Sequence, residues 1–91
     1  MELLTEGQIA DELATVPAWT RDGAAITLHA ERTDFRDALL YINAVGYLAE
    51  RANHHPDIAI AWNKVTLTLS THSAGGLTVN DFALARQISA L

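Results

Sequence analysis

Ile58-Ala59-Ile60-Ala61-Trp62-Asn63-Lys64-Val65-Thr66-Leu67-Thr68-Leu69-Ser70 decides the fold. Large apolar residues alternate with small or polar ones on both sides of Asn63-Lys64, the period of two that belongs to half-buried strands. With Asn63-Lys64 as the turn, Trp62 faces Val65, Ile60 faces Leu67 and Ile58 faces Leu69, so opposed positions sum to 127. Carried outward, that sum sets His55 opposite His72, where antiparallel Cα atoms lie about 4.5–5.5 Å apart. His54 is the immediate neighbour. Pro56 cannot donate to a ladder, so pairing beyond it is looser.

Upstream of this hairpin the spacing predicts a helix over 33–52, with Thr33 as N-cap and Asp34 in the first turn, where the helix dipole favours an anion. Phe35, Leu39, Ile42 and Ala49 form one stripe, and Tyr41, Val45, Leu48 and Ala52 another. From Ala38 to Ala49 few positions are polar, so the helix must be covered on more than one side. One sheet covers one side, and a subunit interface is expected on the other. Asp22-Gly23 predicts an earlier hairpin turn. Pairing Arg21 with Ala24 then sets Trp19 opposite Ile26 and Pro17 opposite Leu28. Trp19, Ile26 and Leu28 share one face, while Thr27 and His29 point to the other. Thr5-Glu6-Gly7-Gln8 fits a capping box, followed by Ile9, Leu13 and Val16, with Pro17 ending that helix. After Gly75-Gly76, Thr78 to Asp81 begins a last helix whose apolar side is Phe82, Leu84, Ala85 and Ile88. The order is α-β-β-α-β-β-α, in a single domain over residues 1–91.

At 91 residues such a chain buries about 60–65% of its unfolded surface, so a partner subunit would help it. The apolar share of 49% argues for a globule rather than disorder. A net charge of −5, with six scattered Lys and Arg, argues against direct binding of a nucleic-acid backbone. The absence of cysteine excludes disulfides, thiolate metal sites and a Cys nucleophile. The start, Met1-Glu2-Leu3-Leu4-Thr5-Glu6, lacks the pattern of a signal peptide, and Ala38–Ala49 is too short to cross a bilayer. A cytoplasmic protein with no membrane association is expected.

Clustered imidazoles can hold or release a proton near neutral pH, which suits general acid–base catalysis. Three histidines can also hold a zinc ion. No carboxylate is obviously placed behind each ring, however, and adjacent histidines on one strand diverge. Structural histidines are the third reading. Asp81 stands three residues after Thr78, so a capping box explains it, although it could orient an imidazole as well. Glu50 reads as a solvated helix-end residue, Thr71 and Ser73 as strand-end and loop residues, and Trp19 and Trp62 as core. His29 has no evident partner.

The segments Glu50-Arg51-Ala52-Asn53-His54-His55-Pro56-Asp57, Trp62-Asn63-Lys64-Val65, Leu69-Ser70-Thr71-His72 and Gly76-Leu77-Thr78 with Asp81 resemble the pterin-4a-carbinolamine dehydratase family. The likeness spans essentially the whole chain. It implies an α+β fold, a four-stranded antiparallel sheet with three helices packed on one face, assembled as a homodimer or homotetramer through helix 33–52. It implies dehydration of a 4a-hydroxytetrahydropterin to the quinonoid dihydropterin, with no metal and no cofactor beyond the pterin substrate. The family's active-site histidines fall on His54, His55 and His72. Supporting or substrate-binding roles are expected for Pro56, Thr71, Ser73, Asp81, Trp19 and Glu50. Asn53 stands where some animal members carry aspartate. The expected division of labour has His55 and His72 acting on opposite sides of the reacting centre and His54 binding. Some animal members also partner a transcription factor through the same helix. That makes an interaction module, here through Tyr41, Val45 and Leu48, the alternative function, with another pterin pathway such as molybdenum-cofactor metabolism a third.

Overall fold

The computed structural model describes residues 2–91; Met1 lies outside the described residues. Helix α1 (Glu6–Leu13) opens on the expected capping box: the Gln8 N–H donates to Thr5 Oγ1 at 3.2 Å, and the Thr5 N–H donates to Gln8 Oε1 at 2.8 Å. It stops four residues before Pro17, not at it. The Thr15 hydroxyl donates to the Glu12 carbonyl at 2.6 Å and the chain turns there, delivering Val16 fully buried to the core.

Strands β1 (Trp19–Asp22) and β2 (Ala25–Glu31) pair Trp19 with Leu28 and Arg21 with Ile26. The loop is therefore Gly23-Ala24, one residue later than expected, and Trp19 rather than Pro17 opposes Leu28. Gly23 has φ 60°, and a glycine in the left-handed region at the first loop position is a favoured two-residue hairpin geometry. A turn displaced by one residue changes the register by two, so every side chain keeps its face. Trp19, Ile26 and Leu28 are all buried together.

The second hairpin shifts in the opposite direction. Strands β3 (Asp57–Ala61) and β4 (Lys64–Leu69) pair Ile60 with Val65 and Ile58 with Leu67 around the loop Trp62-Asn63. Asn63 is held at that corner from both sides. Its Nδ2 donates to the Arg32 carbonyl at 2.9 Å, and the Arg32 N–H donates to the Asn63 carbonyl at 2.8 Å. Trp62, forced to φ 56°, projects into solvent at 65% exposure instead of entering the core. Opposed positions sum to 125, not 127, with consequences for the histidines.

The sheet runs β1-β2-β4-β3, all antiparallel. One face carries Ile26, Leu28, Val65, Leu67 and Leu69, all buried. Helices α1, α2 (Phe35–Ala52) and α3 (Val79–Ser89) pack on that face and contribute Ile9, Ala38, Tyr41, Val45, Ala49, Phe82, Leu84, Ala85 and Ile88 to the core. The expected apolar side of α3 is thus the observed one. At the start of α2 the expected roles move by one residue. Asp34, not Thr33, is the N-cap, accepting the Asp37 N–H at 2.8 Å, and Asp37 accepts the Thr33 N–H at 2.9 Å. Tyr41 and Val45 point into the sheet, as helical periodicity requires once Ala38 and Ala49 do, so they belong to the chain's own core and not to an outer surface. The outer surface carries Phe35, Leu39, Leu40 and Tyr47 instead, and Ile58 and Ile60 on edge strand β3 are also uncovered. No described helix is long and apolar enough to cross a membrane.

The Thr33 backbone N–H, assisted by Arg32, holds the Asp37 carboxyl below the usual carboxylate range. A lowered folded-state value means stability that is present at neutral pH and lost as pH falls through that value. Urea midpoints measured from neutral to acid pH are expected to fall less steeply for Asp37→Asn than for the wild type.

Candidate active site

Helix α2 ends in a way that aims His54. Asn53 adopts the left-handed conformation, φ 48° and ψ 44°, which asparagine tolerates better than most non-glycine residues. Its N–H and that of His54 turn back to the last carbonyls of the helix, His54 N–H to Ala49 O at 3.1 Å. After this reversal the His54 side chain lies inward, 12% exposed, with Nε2 2.6 Å from Asp81 Oδ1.

Asp81 is wholly buried. Its Oδ2 accepts the Thr71 hydroxyl at 2.8 Å and the Thr78 N–H at 2.9 Å, and Thr71 Oγ1 lies 2.8 Å from Thr78 Oγ1. Asp81 is therefore both the capping residue of α3 and the partner of an imidazole. Two donors aimed at Oδ2 leave no proton on that oxygen; with Asp81 ionised, the bond to Oδ1 is donated by His54 Nε2–H, and in the neutral ring Nδ1 is then the acceptor. A buried carboxylate with its lone pairs occupied in this way avoids the cost of an unpaired charge. Continuing the observed β3–β4 sum of 125 past Asp57 sets His54 level with Thr71. Both side chains indeed meet at Asp81.

The same register sets His55 level with Ser70 rather than with His72. His55, extended from its neighbour, turns outward at 57% exposure, with Nε2 2.5 Å from Glu50 Oε2. Glu50 is thus an imidazole partner and not only a solvated helix end. A contact this open contributes little to stability but does orient the ring. His72 begins a single 3-10 turn, His72–Ala74, and is exposed; neither imidazole–carboxylate pair includes it. The turn is closed by Gly75 at φ 78° and by a bridge between Thr71 and Gly76. Among the described residues no three His, Asp or Glu side chains converge as a metal site would require.

The supporting residues divide. Thr71 and Asp81 join His54, and Glu50 joins His55. Pro56 is half-buried between His55 and the start of β3, and Ser73 is exposed on the 3-10 turn. Trp19 is core, its Nε1–H donating to Ser89 Oγ at 3.0 Å, and it fastens β1 to the end of α3 away from this network. His29 finds a partner in Thr66 Oγ1, 3.3 Å from its Nδ1, on the open face of the sheet. A surface depression of about 480 Å³ adjoins that pair and lies at the opposite end of β3 and β4 from the carboxylate-bound histidines. Thr78 is the residue that sequence reasoning saw only as a cap. Its signal was a capping threonine seven residues after Thr71, across a glycine loop that returns the chain.

The profile of the family described as pterin 4 alpha carbinolamine dehydratase matches residues 2–91. The chain belongs to this family. A provisionally named pterin-4-alpha-carbinolamine dehydratase from Nocardia farcinica is 52% identical, over 99% of this chain and 95% of its own length. A similarly named protein from Thermomicrobium roseum is 45% identical over 100% and 98%. The crystal structure of a transcriptional coactivator/pterin dehydratase from Brucella melitensis superimposes with a TM-score of 0.92 at 33% identity, covering 97% of this chain and 96% of that one. A pterin dehydratase-like protein identified as a RuBisCO assembly factor in the alpha-carboxysome shares the fold alone, with a TM-score of 0.64 at 18% identity over 79% and 83%.

In this family member the left-handed residue between α2 and His54 is open to test. Asn53→Gly should keep the unfolding midpoint near that of the wild type, whereas Asn53→Val should lose about 1–2 kcal/mol, the cost of forcing a side chain into that region. Thermal unfolding of the two variants beside the parent measures the difference.

Proposed function

We propose that this chain is a 4a-hydroxytetrahydropterin dehydratase that works by histidine acid–base chemistry. The observation that carries the reading is the His54–Asp81 pair: a nearly buried imidazole, locked by a fully satisfied carboxylate, on a chain of this family. The reaction breaks the C4a–O bond. Oxygen leaves with the bonding electrons and takes a proton to become water, a ring N–H gives up its proton, and the nitrogen electrons close a C=N bond. Nothing is oxidised or reduced, so the proposed step calls for no redox cofactor. It needs one acid at the oxygen and one base at the ring nitrogen, each contributing about a hundred- to ten-thousand-fold.

His54 suits binding, since its Nε2 is committed to Asp81 and Nδ1 can accept one hydrogen bond from the pterin. His55, steadied by Glu50, and His72 on its exposed turn suit the two proton transfers, because their open rings can exchange protons with solvent between turnovers. The test is dehydration of freshly generated 4a-hydroxytetrahydropterin followed by absorbance. The wild type should accelerate it, and His72→Ala should lose at least about a hundredfold. Near-normal turnover by that variant removes His72 from the mechanism.

A second feature supports self-association. Phe35, Leu39, Leu40 and Tyr47 are large apolar side chains exposed on the one helix α2, and grouped apolar exposure is a mark of interaction surfaces. We propose a homodimer or homotetramer assembled there. Leu40→Glu with Tyr47→Glu should shift sedimentation toward the monomer; an unchanged sedimentation coefficient would place the interface elsewhere.

A further inference from the structure

Behind His54 lies a second pair of side chains that no proton transfer needs. Thr71 and Thr78 are 6% and 0% exposed, and their hydroxyl oxygens are 2.8 Å apart. The Thr78 oxygen accepts the Asn80 N–H at 3.3 Å, and the Thr71 hydroxyl donates to Asp81 Oδ2 at 2.8 Å. Only one order of protons satisfies all three contacts: Thr78 donates to Thr71, and Thr71 donates to Asp81. Together with the Thr78 N–H, this leaves Oδ1 to the imidazole.

We propose that Thr78, acting through Thr71, is a positioning residue for His54: the buried hydroxyl relay commits Asp81 Oδ2, so the ring keeps its proton on Nε2 and presents Nδ1 to the substrate. A hydroxyl chain in a dry setting polarises along its length, and each bond strengthens the next. Removing a link takes one donor from Oδ2, which loosens the carboxylate and lets the ring exchange tautomers. The histidine stays, but its acceptor nitrogen is no longer fixed. The kinetic arm of this inference rests on the dehydratase reading; the spectroscopic arm does not.

The experiment uses full-length protein with 15N-labelled histidine, the His54 ring signals being assigned by their loss in His54→Gln. In the alkaline limit, where the ring is neutral, the wild type should show the Nε2–H tautomer alone. Thr71→Val and Thr78→Val should each show a mixture with Nδ1–H. Their kcat should fall about ten- to a hundredfold, by analogy with the loss of a partner behind a metal-ligating histidine, with KM within about twofold. Thr71→Ser and Thr78→Ser should restore both readouts, which a merely structural loss would not predict. Thr78→Val also removes a helix cap; should it fail to fold, Thr71→Val decides, because it leaves the Thr78 cap bonds to Asn80 and Asp81 in place.

A wild-type ring protonated on Nδ1, or valine variants that keep the pure Nε2–H form, overturns the relay. Wild-type protein that shows the tautomer response but no dehydration overturns the enzymatic reading and leaves the relay standing. Dehydration with an unresponsive ring does the reverse.

Discussion

A carboxylate with no exposure to water has to be answered by donors from every side, and the Asp81 side chain recruits three parts of the chain to do so. The end of β4 sends Thr71, the start of α3 sends the Thr78 N–H, and the segment after α2 sends His54. Without those donors the buried charge would cost several kcal/mol. The helix start, the glycine loop and the α2–β3 connection therefore assemble together around one group. The hydrophobic core brings α2, α3 and the sheet within reach, and the carboxylate sets how their ends meet.

Much of the fold was legible because strand and helix periods survive small errors. Both hairpin turns lie one residue from where the turn dipeptides point, yet each error moves the register by two and preserves the face of every side chain that stays in a strand; Trp62, moved into the loop, is the exception. The core residues of β1, β2 and β4 therefore follow from alternation alone. Register did not follow, for a reason outside the hairpin itself. Asn63 is fixed by Arg32 at the end of β2, a contact between residues 31 positions apart that forces Trp62 into a left-handed conformation. A local turn preference cannot compete with two backbone-directed hydrogen bonds.

The site was legible in its residues and not in its pairings. His54, Thr71 and Asp81 meet at one end of the sheet and His55 meets Glu50, but the expected His55–His72 pair depended on the register that Asn63 overrides. Which carboxylate meets which ring is decided by direction. The chain extends past Asn53, so His54 turns in toward Asp81 and His55 turns out toward Glu50. That alternation is a sequence-level rule, whereas the presence of a buried acceptor on one side is a property of the packed molecule.

The three rings also differ in how much freedom they have left to lose. His54 is nearly enclosed and bound at 2.6 Å, while His55 is open and His72 lies on a short exposed turn. Restricting a mobile side chain at an interface costs about 0.5–1.5 kcal/mol, and for His54 that entropy has already been surrendered when the protein folds. Under the proposed function, a ligand held by all three rings would meet one rigid contact and two that tighten only on arrival. Its affinity would then draw on His54 almost without an ordering penalty, and the entropic part of its binding would come chiefly from the other two.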